Sequence, residues 1–253
     1  MKKPNPRRTK TSPAARLRPF WFLLLLVAIA AAAAGYWAAT WPGFFPKTVA
    51  VTGNSVVSAQ LIRNRAAIER RQNVWLQNMH AAAIRVAQIP YVKDARVRRA
   101  LPASVTIEVT ERSPFAVVHF GGGAVLVDRD LRVLGEASES SDGLPVLIAS
   151  TQAVPVPGVF LKDPRAARLR DDFETLAAAH VAAARLWYDQ FGDLIVQMRS
   201  GVQLLLGDEY DLNEKAALIG PILSQVGSAG KKIAAVDLRA PKTPVVRYAA
   251  KIR

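Results

Sequence analysis

The chain has three histidines, His80, His119 and His180, the side chains best placed to move protons or ligate metal near neutral pH. Their surroundings put them in three separate elements, His80 and His180 in helices and His119 in a strand. None has carboxylate neighbours at ligand spacing, so they read as packing or surface residues. Asp208-Glu209-Tyr210-Asp211 could attract a cation, but it lacks the glycine and terminal glutamate of a calcium loop and reads as a solvated turn. Asp171, Asp172 and Glu174 fall near a helix start, where acids favour the dipole. Gly121-Gly122-Gly123 has neither the lysine–hydroxyl signature nor the following helix of a phosphate loop; between two apolar runs it reads as a hairpin turn. No serine stands in a nucleophile-elbow pattern. There is no cysteine, which excludes a disulfide framework and a thiolate-bound metal. The expectation is no catalytic, cofactor-binding or metal residue, and a protein that is not an enzyme. Arg96, Arg98 and Arg99 form a basic cluster that reads as a wet strand face, with a partner contact as the second option.

The elements around these residues begin with a compact module over 47–114. Thr48-Val49-Ala50-Val51 is a short apolar strand, followed by Gly53-Asn54, a pair suited to a turn needing positive φ. Ser58 is positioned to cap a helix carrying Leu61, Ile62 and Ile68. Asn78 is positioned to cap a second helix, whose Met79, Ala82, Ala83, Val86 and Ala87 form one apolar stripe ended by Pro90. Two strands follow, one with Ala95 and Val97 on one face, the other with Val105, Ile107 and Val109 alternating with polar residues. The order is strand, helix, helix, strand, strand. A small sheet with two helices on one face buries enough to be a domain.

Residues 1–19 hold seven basic residues and no acid, half of the formal net charge of +14. With Pro4, Pro6, Pro13 and Pro19 this segment cannot pack a core. Residues 20–41 carry no charge and as a helix would cover ~33 Å, close to the ~30 Å hydrocarbon core. Phe20 and Trp21 at one end and Tyr36, Trp37 and Trp41 at the other suit the two interfaces. The basic flank predicts a cytoplasmic N-terminus and an extracytoplasmic remainder. The same stretch also fits a signal peptide, with 20–34 as its apolar region and Ala31 to Ala34 offering cleavage sites. Span length and aromatic ends favour the uncleaved anchor, and the intact mass of the membrane-derived protein separates the two. A basic tail beside a span has a sufficient role in orientation and in touching anionic lipid, so no nucleic-acid partner is expected.

In the second half, Phe115 to Phe120 and Ala124 to Val127 flank the glycine turn as paired strands, and Arg132-Val133-Leu134 continues the sheet. Residues 136–143 read as a polar, Ser-rich loop, and Pro145, Pro155 and Pro157 frame an irregular stretch. Asp163-Pro164 opens a helix, with Leu169, Phe173, Leu176 and His180 on one face, predicted to reach about Leu186. Residues 194–199 and 202–206 form a hairpin, 214–225 a helix kinked or restarted at Pro221, 233–239 a strand, and 245–248 the last strand.

Several ordered pieces together resemble the FtsQ/DivIB family of bacterial cell-division proteins. They are Val51-Thr52-Gly53-Asn54; Ile89-Pro90-Tyr91-Val92 with Ala95, Val97 and Arg99; Leu101-Pro102; Glu111-Arg112-Ser113-Pro114-Phe115-Ala116; Leu126-Val127-Asp128; Leu144-Pro145-Val146-Leu147; residues 201–207; Lys215; and Val236-Asp237-Leu238-Arg239. The resemblance implies an α+β protein: a cytoplasmic tail (1–19), one transmembrane helix (20–41), a POTRA domain (47–114), a mostly antiparallel β domain with flanking helices (115–248) and a short C-terminal tail (249–253). It implies no cofactor, no small-molecule substrate and no catalysis. It implies a scaffold in the plasma membrane, enriched at the division septum. Such a scaffold binds FtsB/FtsL-like and other divisome membrane proteins and helps control septal peptidoglycan synthesis. In the family the FtsB segment adds a strand to the last strand of the β domain, which here places the contact on Thr243, Val245, Val246, Arg247 and Tyr248, with Arg239 nearby. Two positions depart from the pattern: Arg129-Asp130-Leu131 stands where the family often has a glycine, and Pro244 is tolerable only at the strand's start or with its nitrogen facing away. Another class of function remains open, a POTRA protein assisting polypeptide transport or outer-membrane assembly. The ~140 residues after the first module are few for a large barrel. A periplasmic enzyme on an anchor would need a constellation the sequence does not offer.

Overall fold

The computed structural model describes residues 13–137, 141, 143–149, 154–208, 210–227 and 232–249, with side chains from Phe20 onward. Most of the basic tail, part of the expected Ser-rich loop, Glu209 and the last four residues lie outside the described residues. The chain divides into two compact units. One comprises residues through Thr52, Ala59–Ile84 and Arg96–Glu108; the other Gly53–Ser58, Arg85–Ala95 and Val109 onward.

In the first unit, α1 (Pro13–Thr40) contains Phe20–Thr40, a stretch long and apolar enough to cross a membrane and with no fully buried residue. Along the chain there follow β1 (Thr48–Thr52), α2 (Ala59–Ala66), α3 (Met79–Ala87), β2 (Val92–Ala100) and β3 (Ser104–Glu111), the strand–helix–helix–strand–strand order implied above, with the end of α3, the start of β2 and the end of β3 assigned to the second unit. The three strands lie in the order β1-β3-β2, with β1 parallel to β3 from Thr48↔Ser104 to Thr52↔Glu108. The Asn78 side chain accepts from the Ala81 N–H (2.9 Å), the expected cap of α3. Ala67 adopts φ 48°, which ends α2 at Ala66 and leaves Ile68 outside the helix that its spacing suggested.

Two details at 53–57 and 109–111, all within the second unit, carry predictions. Gly53 has φ +81°, and a Cβ there would sit 2.1 Å from the Val109 carbonyl oxygen. Gly53→Ala combines left-handed backbone strain with overpacking, so we expect a loss of about 2–4 kcal/mol, read as a lowered urea midpoint. Glu111 accepts from the backbone N–H groups of Val56 and Val57, both at 2.8 Å. Desolvation pushes its carboxyl up, but these bonds outweigh it and hold the group below its ordinary 4.5. A depressed folded value stabilises the protein above the unfolded value and is lost as pH falls below about 4.5. Glu111→Gln should therefore flatten the decline in melting temperature on acidification below that pH; an unchanged slope would remove Glu111 as its source.

The second unit contains β4 (Ala116–Phe120), β5 (Gly123–Val127), β6 (Val133–Glu136), β7 (Val146–Ile148), α4 (Pro164–Ala178), β8 (Ala183–Tyr188), β9 (Leu194–Met198), β10 (Gln203–Gly207), α5 (Leu212–Gly227), β11 (Ile233–Asp237) and β12 (Val245–Tyr248). They build one nine-stranded sheet in the order β12-β11-β10-β9-β8-β7-β4-β5-β6, five of whose eight pairings are antiparallel. Ala116 and Val118 of β4 face a core that includes Leu169 and Leu176 of α4 and Ala216 and Ile219 of α5; Val117 faces a smaller cluster with Leu126 and Leu134 on the other side.

Three expectations change here. Helix α4 ends at Ala178 rather than near Leu186, and His180, at φ +60°, lies beyond it. Residues 183–188 instead form β8 between β7 and β9, so pairing at the sheet centre overrides the helix propensity of an alanine-rich run. The stretch framed by prolines contributes β7, and α5 runs continuously through Pro221 from Leu212.

Candidate functional site

The last two strands meet at one edge of the large sheet. The turn before β12 is closed by the Thr243 N–H, which donates to the Ala240 carbonyl (3.0 Å). Pro244 therefore precedes the strand and withdraws no donor from β12 itself. Strand β12 pairs antiparallel with β11, with Val245 opposite Asp237, Val246 opposite Val236, Arg247 opposite Ala235 and Tyr248 opposite Ile233. A bulge between Ile233 and Ala235 places the irregularity in β11 and leaves β12 regular.

Among the described residues β12 ends the strand order, with β11 as its neighbour. The Ala249 N–H donates to the Lys232 carbonyl (2.9 Å). Because backbone groups alternate along an antiparallel strand, those of Arg247 and Val245 also face β11, and those of Val246 and Tyr248 face outward. The rim thus presents the Val246 N–H and carbonyl, with the Pro244 carbonyl continuing the row. Side chains follow a different logic: Val245 is 56% exposed and Tyr248 46%, Arg247 is exposed, and Val246 is half-buried against the core. Val246 anchors the strand while its outward N–H remains available.

Arg239, just beyond β11, donates through Nε and Nη2 to the Asp237 carboxylate at 2.7–3.2 Å, and its Nη1 lies 3.9 Å from Asp193. The guanidinium, bonded to the carboxylate, holds Asp237 below the usual carboxylate range. This clamp fixes the residue that faces Val245. Gly207 ends β10 at φ +75°, and a Cβ there would come 3.0 Å from the Arg239 Cγ, so glycine leaves room for the arginine stem. Sequence reading found Arg239 but not its acids; Asp237, two residues away in the Val-Asp-Leu-Arg run, was the available signal. Lys215, one of the residues that carry the resemblance, is 2% exposed, and its Nζ donates to the Asp208 carboxylate (3.0 Å) and carbonyl (3.1 Å).

The structure brings Thr243, Val245, Val246, Arg247 and Tyr248 together on this edge. Phe20, Trp21, Tyr36 and Trp37 are exposed along α1, and Trp41 follows it, stacked on Trp37 with centroids 5.6 Å apart. Among the described residues, no three His, Asp or Glu side chains are grouped to hold a metal ion.

A family model for the POTRA domain, FtsQ-type, matches residues 44–112. The cell division protein FtsQ of Corynebacterium glutamicum is 23% identical over 192 residues, covering 71% of this chain and 78% of that protein. FtsQ of Mycolicibacterium smegmatis is 27% identical over 243 residues, covering 94% of this chain and 68% of its own length. The chain is thus similar to FtsQ cell-division proteins over most of its length, and its residues 44–112 form an FtsQ-type POTRA domain. Cell division protein DivIB of Clostridium acetobutylicum is a further relative, 24% identical over 106 residues and covering 42% of each chain. This similarity to cell-division proteins fits the one long apolar helix among the described residues, near the N-terminus, the POTRA domain and the large sheet.

Proposed function

We propose that this protein is a single-pass scaffold of the divisome in the plasma membrane, with its N-terminus in the cytoplasm and its folded part outside. It links early and late division proteins and takes part in controlling septal peptidoglycan synthesis by holding FtsB/FtsL-like partners. The observation that supports this reading best is the outer edge of β12: a strand fixed to the core on one side, with the Val246 N–H and carbonyl facing away from β11 on the other. An extended segment satisfies such a rim by strand addition, while side-chain contacts to Val245, Arg247 and Tyr248 supply selectivity. No bond is made or broken by the protein in this role.

The cellular test is a functional fluorescent fusion of the full chain followed through the cell cycle. Enrichment at mid-cell before constriction is the expected result; a uniform membrane signal in dividing cells would reject the division role. Truncation after Arg239 should abolish copurification of an FtsB-like partner.

A further inference from the structure

We propose that the loop between α2 and α3 is a second membrane contact: Trp75 and Leu76 insert into the outer interface of the bilayer while Arg70 and Arg71 bind the phosphates of anionic lipid headgroups. The inference rests on the reading of α1 as a membrane span. At ~1.5 Å per residue, the 21 residues of Phe20–Thr40 cover about 31 Å, the thickness of the hydrocarbon core, so the end of α1 marks its outer boundary. The loop is tied to that end. The Asn73 side chain donates to the Ala38 carbonyl (3.1 Å), one of the last helix carbonyls without an intrahelical partner, and the Val74 N–H donates to the Phe44 carbonyl (2.9 Å). Ala38 lies about 3 Å of helical rise before Thr40. Trp75 and Leu76 are two and three residues from Asn73, so their Cα atoms lie within about 11 Å of its own. The headgroup layer occupies ~5–8 Å beyond the core on each side, and the loop has to share it.

The loop is built to present these residues. Buried Gln77 donates to the carbonyls of Glu69 (2.8 Å) and Gln72 (2.9 Å) and accepts from the Glu69 N–H (2.9 Å). Arg99 donates to the carbonyls of Val74 and Gln77, and its guanidinium stands 5.7 Å from the Trp75 ring centre. Although this frame holds the backbone, Trp75 is 46% and Leu76 62% exposed. A tryptophan and a leucine held out beside a membrane helix suit the interface better than water. Arg65, Arg70 and Arg71 are exposed on the same segment, with Glu69 as its one acid. Each basic residue at an anionic surface adds on the order of 1 kcal/mol.

The absence of cysteine allows single spin labels on the otherwise native chain in lipid nanodiscs. The variants are Leu76→Cys, Gln60→Cys on the exposed side of α2, and Leu24→Cys inside the span. Collision with oxygen and with a water-soluble nickel complex gives the depth of each label. The label at position 76 should sit at the headgroup–acyl boundary, on the order of 5 Å deep, with Gln60 in water and Leu24 deep. Raising the share of anionic lipid should deepen position 76 in the parent, and Arg70→Glu with Arg71→Glu should abolish that response. A label at 76 as open to nickel as at 60, with Leu24 still deep, overturns the loop contact and leaves the span intact. A shallow Leu24 label overturns the span and the proposal with it. Shielding at 76 that arises only after a protein partner is added overturns lipid as the occupant.

Discussion

Val246→Pro should sharply weaken capture of an FtsB-like segment while leaving the nine-stranded sheet folded. The Val246 N–H faces away from β11 by the alternation that the Ala249–Lys232 hydrogen bond sets. Proline there removes no bond that the protein makes to itself, and its ring keeps apolar bulk where the valine packs. To an added strand, however, it removes the first outward donor of the rim, and its ring obstructs the approaching carbonyl. Leaving the incoming carbonyl desolvated and unpaired costs about 1–3 kcal/mol, so affinity should fall by about one to two orders of magnitude. Arg247→Pro is the internal contrast. That N–H faces β11, so the substitution should lower the melting temperature as well as binding. Measuring partner affinity and thermal unfolding on both variants distinguishes edge pairing from loss of fold. If Val246→Pro binds at parental strength, the partner does not use this rim.

The edge itself was legible in the sequence, because Val245, Val246 and Tyr248 follow the last turn signal and have β-branched or aromatic side chains. Its direction was not. Which backbone groups face out depends on the register with β11, and that register is set by a bulge between Ile233 and Ala235 that no local signal marks. The small module was legible nearly to the residue, since Asn78, the Val105–Ile107–Val109 alternation and Gly53 each act locally. The centre of the large sheet was not. Residues 177–185 read as helix by propensity, yet β8 is required between β7 and β9, a demand that exists only once distant strands have met. The Trp75-Leu76 pair could be read as two apolar residues between helices, but the hydrogen bond that brings its loop to Ala38 spans 35 positions.

The largest stability effect should come from Asp128→Ala. Arg112 and Asp128 are both buried, and the Arg112 Nη1 donates to one Asp128 carboxylate oxygen and to Asp130 at 3.1 Å. The other Asp128 oxygen accepts from the Arg132 N–H (2.8 Å). The guanidinium groups of Arg112 and Arg132 stand 5.5 and 5.4 Å from the Phe160 ring centre, so two cations share one ring. Burial, then the charge of Arg112, lowers the Arg132 pKa, while Asp128 opposes that shift. Removing Asp128 leaves Arg112 desolvated with only the half-exposed Asp130 as a counter-charge, beside a second cation. Breaking a buried pair from one side costs about 3–5 kcal/mol, which for a unit of this size lowers the melting temperature by about 10 °C. Replacing both partners, Arg112→Met with Asp128→Leu, removes the uncompensated charge together with the pair and should recover most of that loss. Arg112→Lys should not, because a single ammonium cannot reproduce the planar contact with Phe160 and two carboxylates. If the double replacement is as unstable as Asp128→Ala alone, the cost lies in the hydrogen bond to the Arg132 backbone and the turn that it closes, and the charge pair is secondary.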